Sequence, residues 1–187
     1  MTVKFKALCM SLVLMCLCAT TEAAKVAVVI DGLMNDQKGK DVNKKITKTM
    51  KNIYSKPDFE LMQLKDVNKM VALYRKQNNL NEKGTVGSFR DYYYKSCLTN
   101  TDLMAIGKKL GVDELMYVAT DWTYRDKFFE PTVVDLELVV QVYDISKGTM
   151  TFEQMLEGTH KSTHSLHSVY GVALNNALKK LAYKPGI

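Results

Sequence analysis

The stretch Thr132-Val-Val-Asp-Leu-Glu-Leu-Val-Val-Gln-Val-Tyr-Asp-Ile145 decides the fold. Val134, Leu136, Leu138, Val140 and Val142 fall on one side of an extended chain, while Asp135, Glu137 and Gln141 fall on the other. Side chains alternate across a strand with a period of two, so the pattern predicts a long half-buried strand. Upstream, Glu114 to Tyr124 predicts a second strand, joined to the first through the turn segment Arg125 to Pro131. Downstream, Ser146-Lys147-Gly148 predicts a hairpin loop, after which Thr149 to Thr159 pairs back with Met150, Phe152 and Leu156 inward. Three consecutive strands with short connections make an antiparallel meander.

The half of the chain before this meander has a different rhythm. Lys25 to Asp31 (KVAVVID) reads as a short strand buried on both faces, because its apolar run is continuous rather than alternating. Lys40 to Tyr54 carries Val42, Ile46, Met50 and Ile53 at helical spacing, and Pro57-Asp58 ends it. Phe59 to Leu64 is a second strand, and strand, helix and strand in this order predict a parallel unit. Asp66 is the expected cap of a helix that buries Val67, Met70, Val71 and Tyr74. Asn78 to Asn100 is the least regular stretch, long enough that local folding or a function is expected of it. Thr101-Asp102 opens a helix with Leu103, Ile106 and Leu110 on its apolar side, stopped by Gly111. A last helix, capped by Ser162 or Thr163, turns Leu166, Val169, Tyr170, Ala173, Ala177 and Leu181 toward the sheet. The predicted order is β-α-β-α-α-β-β-β-α: an α+β fold with an α/β-like first half, built on a mixed five-stranded sheet with helices packed on it.

Composition narrows the class. The chain has 187 residues, 47% of them hydrophobic and 25% charged, which excludes a disordered chain and a polytopic membrane protein. Residues 1–23 read as a secretory signal peptide. Lys4 and Lys6 form the positive start, Ala7 to Cys18 the apolar run, and Thr21 and Ala23 the small residues of a cleavage site. Residues 24–187 are then expected to form one domain. Cys9, Cys16 and Cys18 lie in the leader, so the exported chain keeps Cys97 alone, without an internal disulfide partner. Its location is expected to be periplasmic or extracellular.

The wording of two stretches resembles a known group. These are Ile106-Gly-Lys-Lys-Leu-Gly-Val-Asp-Glu-Leu-Met-Tyr-Val-Ala-Thr120 and Val139-Val-Gln-Val-Tyr-Asp-Ile-Ser-Lys-Gly148. A helix ending in Leu-Gly-Val-Asp, a strand, and a hairpin turning through Asp144 and Gly148 is similar to a set of bacterial envelope domains. They are the TolB amino-terminal domain, the curli-secretion lipoprotein CsgG and the penicillin-binding-protein activator LpoB. The strand Val26 to Asp31 with its following helix sits where that pattern expects it, so the likeness spans most of the exported chain in layout. The sequence departs from the group in having no cysteine suited to lipidation and no long alternating insertions like the membrane hairpins of the curli pore. The resemblance implies a non-enzymatic accessory module that binds another envelope protein, and it brings no catalytic residue.

Several clusters are candidates for chemistry or binding. His160, His164 and His167 follow an H-x3-H-x2-H spacing, and neutral imidazoles suit zinc, copper or nickel. The competing reading is polar surface at a strand-to-helix turn. A metal- or small-ligand-binding periplasmic protein using these histidines is therefore the alternative function. Arg90, Tyr92, Tyr93 and Tyr94 form an aromatic-basic cluster, and Phe128 and Phe129 sit at a hairpin turn. Both have the composition of partner-binding hot spots. Lys40, Lys44, Lys48 and Lys51 step along one face of the first helix, opposite its apolar stripe. That face either is simply solvated or meets anionic headgroups or acidic envelope polymers. The formal charge of +6 does not point to nucleic acid, a poor partner for an exported chain. No phosphate-binding glycine loop, nucleophile elbow or zinc-protease motif occurs, so neither an enzyme nor a cofactor is expected.

Overall fold

In a computed structural model of the chain, the described residues are 22–31, 37–80, 84–86, 92–94, 98–125, 131–162 and 166–186. Within them, only the backbone is described for 37–42, 84–86, 92–94, 121, 122, 124 and 166–168. The elements are β1 (Ala24–Asp31), α1 (Gln37–Ile53), β2 (Phe59–Leu61), α2 (Leu64–Gln77), β3 (Gly84–Val86) and β4 (Tyr92–Tyr94). They continue with α3 (Asn100–Leu110), β5 (Glu114–Arg125), β6 (Thr132–Asp144), β7 (Thr149–Ser162) and α4 (Leu166–Leu178).

The main sheet has five strands in the order β2-β1-β5-β6-β7. β1 runs parallel to β2 and β5, and β5, β6 and β7 form an antiparallel meander. This is the predicted mixed sheet. The stretch read as irregular adds a small antiparallel hairpin, β3–β4, with Tyr92–Tyr94 paired to Gly84–Val86 and lying close to β5. Its three-residue strands are too short to carry a readable alternation.

Two cores form because β1 and the first half of β5 are apolar on both faces. Val134, Leu136, Leu138, Val140 and Val142 pack with Val26, Val28, Met116 and Val118 under α1 and α4. Ala27, Val29, Leu115 and Tyr117 pack on the other face under α2 and α3. β1 contributes to both cores, which is why its sequence is continuously apolar. α1 buries Ile46 and Met50 fully. α4 buries Val169, Tyr170, Ala173, Leu174, Ala177 and Leu178, and its alanines meet β7 at Gly158.

Local differences from the sequence expectation have identifiable causes. α2 begins at Leu64 with Gln63 at its cap position, and Asp66 sits in the first turn, where its charge complements the helix dipole. α3 is capped by Thr99 in a capping box with Asp102, one turn-residue earlier than expected, and Gly111 closes it at φ 65°. β7 extends to Ser162, so that residue is a strand residue rather than a helix cap. A register shift at Val142/Tyr143 pairs Phe152 with Val142 but Met150 with Tyr143. Met150 is consequently 41% exposed instead of inward. Leu181 lies beyond α4, in a tail that crosses the α1/α4 side of the sheet and still packs against that core.

Two carboxylates in these turns should make stability sensitive to acid. Asp144 accepts from Lys147 Nζ at 2.7 Å, Ser146 Oγ at 2.6 Å and the Lys147 amide at 2.9 Å, which together hold it well below the usual carboxylate range. Partial burial works to raise Asp102, but bonds from the Thr99 hydroxyl and amide and from Tyr74 outweigh it and lower it. A carboxylate depressed in the folded state adds stability above its unfolded pKa, about 3.9, and loses it as pH falls through the folded value. Melting temperature should therefore fall on acidification from about pH 5 to about pH 2, and less steeply in Asp144→Asn. Parallel thermal melts across that range would show it. Equal slopes would remove Asp144 from the account.

Candidate functional site

Three polar or open regions emerge from this arrangement. The first lies at the carboxyl end of β1, where Asp31 is 3% exposed. Arg75 of α2 donates from Nη2 to its Oδ1 at 2.6 Å, and Tyr117 of β5 donates its hydroxyl to Oδ2 at 3.0 Å. Thr120 donates its hydroxyl to the Asp31 carbonyl at 3.1 Å. A buried ion pair held by additional hydrogen bonds ties β1, α2 and β5 into one register, a structural task that requires no access to solvent.

The second lies at the opposite end of the sheet. Glu114, at the start of β5, accepts from the hydroxyls of Tyr54 and Tyr183, the latter at 2.8 Å. Burial first, and then the adjacent carboxylate, pushes both phenols above the ordinary tyrosine range. Both hydroxyls serve as hydrogen-bond donors to Glu114. Tyr183 belongs to the tail after α4. Gln154 of β7 clasps that tail, donating to the Lys180 carbonyl at 3.1 Å and accepting from the Ala182 amide at 2.9 Å. Tyr183 then packs on Phe152 with ring centroids 5.1 Å apart. A cavity of about 660 Å³ opens beneath this strap, between Glu114, Asp144, Lys147 and Lys184. Asp144 there is engaged by Lys147 and Ser146, and Glu114 by two tyrosines, so these carboxylates already serve the fold.

The third region is a part of the sheet face that receives no helix among the described residues. Among the described residues, α2 and α3 pack over β1, the first half of β5 and the Tyr143 end of β6, and no helix covers the outward side of the rest of β6 and β7. Register sets Val139 directly opposite Met155, with Ala119 on the far side of Val139. Met155 is 63% exposed. The row on one side of this apolar line pairs Glu137 with Glu157, and the row on the other pairs Gln141 with Glu153, bonded at 2.6 Å. Further along, Asp135 accepts from Arg125 at 3.1 Å and from the Thr159 hydroxyl at 2.9 Å. The face is thus an apolar centre bordered by carboxylates, presented on a rigid three-strand platform. Sequence reading took the outward side of β6 as Asp135, Glu137 and Gln141 and passed over Val139 and Met155. The signal was available: Val139 interrupts a polar row, and Met155 repeats the interruption between Glu153 and Glu157.

The sequence candidates fall as follows. His160 is a half-buried residue of β7, opposite Val134, whereas His167 belongs to α4, so these two do not share a helix face. His164 and the His167 side chain lie outside the described residues. Among the described residues, no three His, Cys, Asp or Glu side chains are grouped to hold a metal. Tyr92, Tyr93 and Tyr94 form β4 beside β5, with backbone alone described, and Arg90, Cys97, Phe128 and Phe129 lie outside the described residues. Lys44, Lys48 and Lys51 are exposed along α1, and the Lys40 side chain is outside the description. Among the described residues no helix is long and apolar enough to cross a membrane.

No family model matches the chain, and no curated protein matches it. Solved structures with a similar arrangement include the lipoprotein GNA1162 from Neisseria meningitidis, 12% identical, covering 83% of this chain and 96% of that one at a TM-score of 0.47. The hypothetical protein CT253 from Chlamydia trachomatis is 10% identical over 83% of this chain and 91% of its own, at 0.45. The LpoB C-terminal domain from Salmonella enterica is 11% identical over 75% of this chain and 85% of its own, at 0.35. The chain is similar to these proteins in the arrangement of its elements alone.

Proposed function

We propose that the chain is a non-enzymatic, exported protein of the cell envelope that works by binding another envelope protein through the open face of β6 and β7. The observation that carries this reading is the exposed Met155 beside half-buried Val139, on a sheet that is covered by α1 and α4 on its other side. A carboxylate border favours a partner that presents an apolar side chain flanked by lysine or arginine, and such like-to-opposite matching selects partners more than it adds affinity. The aromatic hairpin β3–β4 lies close to β5 and would extend the same surface. Export is supported by the leader-like residues 1–23 and by the start of β1 at Ala24, whose amide donates to the Asp58 carbonyl at 2.8 Å. Amino-terminal sequencing of the protein from its native host should begin at Ala24.

The binding reading is tested with a photo-crosslinking amino acid at position 155, expressed in the host. A single adduct in the envelope fraction is expected, with its crosslinked peptide carrying lysine or arginine beside an apolar residue. Glu153→Lys with Glu157→Lys should abolish the adduct while changing stability by no more than about 0.5 kcal/mol, as exposed substitutions do. An adduct that survives this charge reversal, or no adduct at all, would sink the reading.

A further inference from the structure

A second cavity lies on the helix-covered side of the molecule, between α1 and the junction of β2 with α2. β2 has only three residues, so the sheet ends early at this edge. The space is about 430 Å³, within the range of about 300–1,000 Å³ that small-molecule sites occupy. It opens at the carboxyl end of β2, next to β1, the strand flanked by β2 on one side and β5 on the other.

Its chemistry has two parts. Its accessible apolar lining is half-buried Leu61, Met62 and Leu64, backed by the buried Val28 and Met50. The Thr47 hydroxyl at its side is engaged with the Asn43 carbonyl at 2.7 Å, so it adds no demand for a polar ligand. The rim carries two cations from different elements, Lys51 of α1 and Lys65 of α2. Lys48 and Lys44 continue the exposed positive row along α1. Glu60 and Asp66, the carboxylates of β2 and α2, line no part of the cavity. Half-buried apolar side chains next to two exposed lysines match a molecule with an apolar chain and an anionic head.

We propose that this cavity binds a single-chain amphiphile, with its acyl chain against Leu61, Met62 and Leu64 and its carboxylate or phosphate head at Lys51 and Lys65. The lysine row then has a ligand-directing task beyond solvation. This site is separate from the open sheet face and stands whether or not that face binds a protein.

The test uses the exported chain with three probes: laurate below its micelle concentration, inorganic phosphate, and vesicles of phosphatidylglycerol and phosphatidylcholine. Calorimetry is expected to show one laurate per chain and no measurable uptake of phosphate. In methyl spectra of methionine-labelled protein, laurate should move the Met50 and Met62 signals and leave Met116 in place. Lys51→Gln with Lys65→Gln should weaken laurate by about tenfold, the loss expected for two charge-assisted contacts, with an unchanged melting temperature. Laurate that moves neither methyl, phosphate that binds as tightly as laurate, or vesicle binding without laurate uptake would each overturn the proposal. The last of these outcomes would assign the lysines to a membrane surface instead.

Discussion

Gly158→Ala is expected to lower the melting temperature by about 6–12 °C, the equivalent of about 3 kcal/mol in a chain of this size. A Cβ at that position would lie 2.0 Å from the Ala173 carbonyl oxygen and 2.9 Å from the Ala177 amide nitrogen. Both are helix backbone atoms, so no side chain can rotate out of the way. The only relief is for α4 to lift from β7, and α4 carries six buried residues into the main core. Gly107→Ala is the natural control. Its Cβ would meet the Ile145 Cδ1 at 2.4 Å, the end of a flexible side chain that can repack. Thermal and urea unfolding of both variants should therefore rank Gly158→Ala as the more damaging. A loss at Gly158 below about 1 kcal/mol would mean that α4 sits less tightly than these contacts require.

Asp31→Ala is expected to cost about 3–5 kcal/mol, the usual penalty for removing one partner of a buried pair. The Asp31 and Arg75 side chains are 2% and 11% exposed, so water cannot replace the lost carboxylate at little cost. Tyr117 loses its acceptor in the same step. Replacing the pair together, as Asp31→Leu with Arg75→Met, should cost less than the sum of the two single changes, because no charge is then left in the interior. Urea unfolding of the four forms gives the coupling energy directly. Additive losses would show that Asp31 and Arg75 stabilise the fold independently.

Much of the architecture was legible because it is written in local periods. The alternation of Val134 to Val142, the continuous run of Val26 to Ile30 and the helical step of Ile46, Met50 and Ile53 each need only a few neighbouring residues to be read. The turn at Asp144 and Gly148 was legible for the same reason, since Asp144 bonds to groups two and three residues away. The candidate site was less so. Val139 and Met155 looked like ordinary strand residues until the helices were assigned to faces. Asp31 and Arg75 lie 44 positions apart, and nothing in either neighbourhood points to the other. Gly158 reads as any strand glycine, because its reason is the backbone of a helix that follows it in the chain. The tail from Ala182 onward carried no periodic signal, yet Gln154 and Glu114 hold it across the sheet edge through the Ala182 amide and the Tyr183 hydroxyl.

By itself, then, the sequence determined the order of strands and helices, the mixed character of the sheet and the apolar face of each element. These follow from side-chain spacing along a single segment, which is a short-range property. Only the tertiary structure decided which sheet face leaves Met155 exposed, which helix Gly158 admits and that Lys51 and Lys65 line one cavity. Those outcomes depend on matching surfaces from distant segments, and burial is settled by the partner as much as by the residue.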